Sequence, residues 1–137
     1  MGKQDLLDAL DRMNERINRH DLDFADEFYA PDLEWWYAGM TEPLRGVEAC
    51  KQRDKATAAA FPDIEREVLD VVADERSAAV RWRLPATHHG EYAALAPTGN
   101  RVDFTGCSLF EFAGDRVVRL AVYIDAATLM RQVAATP

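Results

Sequence analysis

Residues 101–124, RVDFTGCSLFEFAGDRVVRLAVYI, decide the fold class. Two runs rich in β-branched and aromatic residues, Arg101 to Phe112 and Arg116 to Ile124, flank the turn pair Gly114-Asp115. That pattern predicts an antiparallel hairpin. Successive strand side chains point to opposite faces. In the first run Phe104, Gly106, Ser108, Phe110 and Phe112 therefore share one face, with Thr105, Cys107 and Glu111 opposite and Asp103 in the outward set. In the second run Leu120, Val122 and Ile124 oppose Ala121 and Tyr123, so the strand is apolar on both faces. Asp125 aligns with Ala121 and Tyr123.

Upstream lies a loop, Gly90 to Asn100, whose turn chemistry is Pro97-Thr98-Gly99. Before it, Ile64 to Val72 and Ala78 to His88 read as strands joined by the polar turn Asp74 to Ser77. Val80, Trp82, Leu84, Ala86 and His88 share a face of the second of these, so His88 ends a core-facing row. It is either a rim histidine or a functional one; His89 has the opposite parity. The first 60 residues follow a helical period instead. Leu6, Leu10, Met13 and Ile17 place one apolar face on a helix from about Lys3 to Asn18. A short helix from Leu22 to Tyr29 is ended by Pro31-Asp32. Leu33 to Tyr37 (LEWWY) predicts a strand in which either Trp35 or Trp36 faces inward. Gly39 to Pro43 is a loop, and a third helix runs from about Val47 to Ala60. Downstream of the hairpin, Ala126 to Ala134 predicts a last helix, which Asp125 could cap.

Helices first, with one strand among them, then long antiparallel strands, indicate an α+β domain with helices segregated to one face of a sheet. One domain over residues 1–137 is expected. Strands apolar on both faces predict a homodimer through the outer sheet face. The chain is 48% hydrophobic and 29% charged, which suits a folded protein. A formal net charge of -8 without a block of Lys and Arg argues against nucleic acid and anionic membranes as partners. The sequence has no run of about 18 apolar residues that could span a bilayer. The N-terminal stretch MGKQDLLDALDRMNE lacks the apolar core of a signal peptide, so a cytoplasmic location is expected. Cys50 and Cys107 read as small hydrophobes, and no ligand spacing suggests a metal.

Five segments, FPDI (Phe61 to Ile64), THHGEY (Thr87 to Tyr92), APTGNRV (Ala96 to Val102), LFEFAGDRV (Leu109 to Val117) and YIDAATLMRQV (Tyr123 to Val133), recur here in a familiar order and spacing. In them the chain resembles the SnoaL-like polyketide cyclases of the nuclear transport factor 2-like superfamily. The resemblance implies a cone-shaped curved antiparallel or mixed sheet, N-terminal helices packed on its concave face, and one internal pocket. It implies an enzyme that needs no metal or organic cofactor. Ring closure would proceed by general acid/base catalysis on a polyketide-derived, apolar or polycarbonyl small molecule. An isomerase or epoxide-opening enzyme in the same pocket, or a non-catalytic binding protein, are the alternatives. Asp125 matches the family's closing-strand aspartate and His88 the histidine of its T-H-x-G segment, so these two are the expected catalytic pair. In an apolar pocket desolvation would raise the Asp125 carboxyl and make it a base near neutral pH. Trp35, Trp36, Trp82, Phe104, Ser108, Phe110 and Tyr123 are the expected substrate-binding walls. Ala121 stands where the family often has tryptophan, and Ser108 where it often has histidine, which implies a differently shaped substrate.

Overall fold

The computed structural model describes residues 2–135. Helix α1 (Lys3–Asn18) forms where the apolar row predicts, and Leu6, Leu10 and Met13 are buried from it. His20, in the left-handed region at φ 61°, stops it. A single turn, α2 (Phe24–Phe28), follows. Strand β1 (Tyr29–Tyr37) begins four residues earlier than expected and runs through Pro31. The reason lies in its pairing: the register to its neighbour is broken between Tyr29 and Glu34, so proline's missing N–H removes no ladder bond there. A two-residue strand, β2 (Leu44–Arg45), which no periodicity announced, pairs with β1. Helix α3 (Val47–Ala60) comes next.

The remaining strands are β3 (Glu67–Ala73), β4 (Ser77–Thr87), β5 (Arg101–Ala113) and β6 (Arg116–Ile124), and α4 (Ala126–Ala134) closes the described chain. They form one six-stranded sheet in the order β2-β1-β6-β5-β4-β3. Every pairing is antiparallel except β1 with β6, which makes the sheet mixed, and it does not close on itself. Strand β3 starts at Glu67, later than Ile64, because the backbone before it bonds to the end of α1 and the turn after it instead of to the sheet. Arg66 N–H donates to Asn18 Oδ1 (2.7 Å), Asn18 Nδ2 donates to the Arg66 carbonyl (3.0 Å), and His20 Nε2 lies 3.0 Å from the Ile64 carbonyl.

The inner face of the sheet carries Val80, Trp82, Ala86, Phe104, Phe110 and Phe112, all buried. Cross-strand partners share a face, and this decides the ambiguous strand. Val122 pairs with Ser108 on the inner side, whereas Tyr123 pairs with Cys107 on the outer side. Tyr123 is 55% exposed, so the expectation that it walls the pocket is corrected. At the far end of the sheet, Asn100 Nδ2 donates to the carbonyls of Gln132, Val133 and Ala135. These bonds satisfy the last turn of α4 and hold it over β5. No helix is long and apolar enough to cross a membrane among the described residues.

Candidate active site

Between the inner face of the sheet and helices α1 and α3 lies a pocket of about 180 Å³. Trp82, Phe104, Ser108 and Phe110 from β4 and β5 form its floor, Leu120 and Val122 from β6 continue it, and Trp35 and Tyr37 from β1 stand at one side. Met13 and Ile17 of α1 and Thr57 and Ala58 of α3 face them. Five of the nine expected site residues therefore meet in one cavity: Trp35, Trp82, Phe104, Ser108 and Phe110. The floor is held in place by polar and steric detail. Trp82 Nε1 donates to Ser108 Oγ (3.0 Å), which satisfies both buried groups. The Trp82 ring passes over Gly106 so closely that a Cβ there would lie 2.5 Å from it. Trp82 also meets Phe104 edge-on at 5.9 Å.

The other four sit elsewhere. Trp36 points to the outer face and donates from Nε1 to Glu34 Oε1 (2.6 Å). Tyr123 is on that outer face too, as its register requires. Asp125 is exposed and does not line the pocket. It caps α4: Thr128 N–H donates to its Oδ1 (3.2 Å) and Thr128 Oγ1 to its Oδ2 (2.7 Å). Those bonds hold its carboxyl below the usual range, opposite to the desolvated base expected of it. His88 is fully buried but lies outside the lining, at the end of its row. Its Nδ1 is 2.9 Å from Thr98 Oγ1 and accepts from Thr98 N–H (3.3 Å), its ring packs against Phe61, and its Nε2 has no partner among the described residues.

The charged groups that do line the cavity come from elements whose polar residues gave no sign of it. Helix α3 contributes Arg53 and Asp54, and the segment just before β3 contributes Arg66. Asp54 is the pocket's one carboxylate among the described residues, and no hydrogen bond or ion pair to the protein engages it there. Burial pushes its carboxyl up to about 7, against the opposing pull of Arg66 and Arg53. Its charge in turn adds to the burial that raises the Tyr29 phenol and that brings the Cys50 thiol to about 12. The Arg53 guanidinium stacks on Tyr37, 4.0 Å from its ring centroid. Burial also raises the Tyr37 phenol. The available signal for Asp54 was negative. Residues 47–60 are helical yet show no apolar stripe, so a helix packed over the sheet had to present polar side chains inward. Asp54 lies four residues from the buried Cys50, on the same face.

A desolvated carboxylate near neutral pH, set among aromatic walls and phenolic donors, can remove and return a proton on a bound organic molecule. Comparison with known proteins places the fold in a family. A family model described as SnoaL-like polyketide cyclase matches residues 7–133. Among solved structures, a protein from Jannaschia sp. CCS1, provisionally assigned as a SnoaL-like polyketide cyclase, superposes with a TM-score of 0.91 at 20% identity, covering 98% of this chain and 95% of its own. AclR of Streptomyces galilaeus, provisionally assigned as a hydroxylase, gives 0.83 at 26% identity over 94% of this chain and 95% of its own. IdmH of Streptomyces antibioticus, provisionally assigned as a polyketide cyclase, gives 0.80 at 26% identity over 93% and 97%. No protein of curated function matches the chain.

Proposed function

Since this chain belongs to the SnoaL-like polyketide cyclase family, we propose that it closes a ring in a polyketide-derived small molecule, with Asp54 as the general acid and base. The observation that carries this reading is the position of Asp54 as the pocket's one carboxylate among the described residues, raised to about 7 by burial. At neutral pH a useful fraction is ionised and a useful fraction is protonated, which suits a group that must act both ways.

The steps follow from that pair of states. The Asp54 carboxylate takes a proton from a carbon flanked by carbonyls, leaving an enolate and a neutral carboxyl. The enolate carbon attacks a second carbonyl of the same molecule, a C–C bond forms, and the resulting alkoxide takes the proton back from Asp54. The Tyr29 and Tyr37 phenols, neutral at pH 7 and raised further by burial, are available to donate to the enolate oxygen. The aromatic floor holds a flexible chain in one reactive conformation, which supplies much of the rate as an orientation effect. An isomerase would use the same first step. Epoxide opening by a carboxylate pair is less well supported, because a second carboxylate is missing from the lining among the described residues.

Deuterium exchange at the α-carbons of 2-tetralone, followed by NMR in heavy water, reads the proton transfer alone. The wild type should accelerate exchange with a half-maximum near pH 7, and Asp54→Asn should lose about 100-fold or more of that acceleration. Full exchange by the variant would remove Asp54 from the mechanism.

A further inference from the structure

We propose that the substrate carries a carboxylate, and that Arg66 is the residue that binds it. The inference rests on the reading of the Asp54 pocket as the substrate site and adds the chemical class of what enters it.

Arg66 is held more rigidly than a surface arginine. Its backbone N–H and carbonyl are both tied to the Asn18 side chain, at 2.7 and 3.0 Å, and its Nε donates to Asn14 Oδ1 (2.8 Å). Two asparagines one helical turn apart on α1 thus fix the backbone and the near side of the guanidinium. The far side is left free: neither Nη has a hydrogen-bond or ion-pair partner among the described residues, and the side chain lines the pocket. Arg16, Arg19, Arg45, Arg81, Arg83, Arg101 and Arg119 have carboxylate partners. Of the arginines without one among the described residues, only Arg53 and Arg66 line the pocket. Burial draws the Arg66 guanidinium below its usual range, the direction expected of a desolvated cation lacking a full complement of acceptors.

Two unengaged N–H-bearing nitrogens in one plane match a carboxylate's two oxygens. Asp54 attracts the guanidinium through space but does not serve as that carboxylate, since no oxygen of it lies within ion-pair distance of Arg66. Arg53, the other cation of the lining, is stacked on Tyr37. The lining therefore carries two cations against one carboxylate, inside a protein of net charge -8. A bound carboxylate at Arg66 would also offset the pull of that cation on Asp54 and make Asp54 the stronger base.

Isothermal titration calorimetry at pH 6.5 with 2-naphthoate and its methyl ester, two bicyclic probes that differ in charge and by one methyl group, tests this. Wild-type protein should bind the acid about 10- to 100-fold more tightly than the ester. Arg66→Gln should abolish that preference while leaving ester affinity within about threefold, and Arg66→Lys should keep its sign, since the charge remains. Asp54→Asn should retain it. Ester binding as tight as acid binding to the wild type, acid binding absent at millimolar concentration, or an undiminished acid preference in Arg66→Gln each overturns the proposal. Because 2-tetralone has no carboxylate, Asp54-dependent exchange on it without a preference for naphthoate sinks this inference alone. A naphthoate preference with Asp54-independent exchange sinks the acid/base reading alone.

Discussion

Replacing Asp54 by asparagine should stabilise this protein, and by an amount that depends on pH. Asparagine keeps the shape of the side chain and removes the charge that burial disfavours. The carboxyl titrates near 3.8 in an unfolded chain and at about 7 in the pocket, because desolvation outweighs the attraction of Arg66 and Arg53. A group whose folded pKa is raised favours folding only while it is protonated. Below about pH 4 the two proteins should therefore be equally stable. Between pH 4 and 7 the unfolded chain ionises and the folded chain resists, so the wild type loses ground by about 1.4 kcal/mol per pH unit. Above pH 7 the gap levels off. An upper bound of about 4 kcal/mol follows from the roughly three pH units of displacement, and water entering the pocket reduces it to about 2–4 kcal/mol. Urea unfolding of both proteins at pH 4.5, 6, 7.5 and 8.5 measures the gap directly, since all other titrating groups are shared. A gap that stays constant across this range, or a variant less stable than the wild type at pH 8.5, would refute the assignment of Asp54 as a desolvated acid. The same substitution should remove proton transfer, so stability gained and activity lost would come from one carboxylate, as expected at a functional site.

Three other expectations concern the surrounding frame. Asp125→Ala removes the cap of α4 and should lower the thermal midpoint by about 2–5 °C, with exchange on 2-tetralone unchanged; a tenfold loss of exchange would return Asp125 to the mechanism. The cap's contribution is present above the ordinary carboxylate range, and it fades as pH falls through the depressed folded pKa of Asp125. Gly106→Ala puts a Cβ 2.5 Å from the Trp82 ring and 2.8 Å from the Tyr123 carbonyl. It should cost about 1–3 kcal/mol or more in urea unfolding and weaken naphthoate binding by displacing the pocket floor. On the outer sheet face Leu109 is 44% and Tyr123 55% exposed beside Trp36 and Cys107. Light scattering should show a dimer at micromolar concentration that Tyr123→Lys converts to a monomer; a monomeric wild type would end the outer-face pairing expected from strands apolar on both sides.

How far the sequence could be read depended on how local the controlling interactions are. Helix α1, the hairpin of β5 and β6, and α4 were legible because each follows from spacing and turn chemistry within its own few residues. So was the inward row Phe104, Ser108, Phe110, because the opposite face carries Asp103, Thr105 and Glu111 and only one assignment buries the aromatics. Strand β6 offered no such contrast. With Val122 and Tyr123 equally apolar, only pairing against β5 could choose, and Tyr123 fell opposite the outward Cys107. Asp125 followed it outward, because strand parity carries a whole side of the chain together.

Asp54 and Arg66 belong to the tertiary structure alone. Nothing within helix α3 marks Asp54 as inward, since its turn carries charges on every side; the sheet beneath and Cys50 beside it make that face the pocket's roof. Arg66 precedes a strand and reads as solvated until α1, some 50 residues earlier, supplies the asparagines that bind it. Sequence alone determined the helices, the long strands, the buried aromatic floor and the family resemblance, because periodicity and motif order are properties of the chain. Which charges were drawn out of water, and so which residues can do chemistry, was decided only when distant elements packed around one cavity, because desolvation is a property of the enclosure.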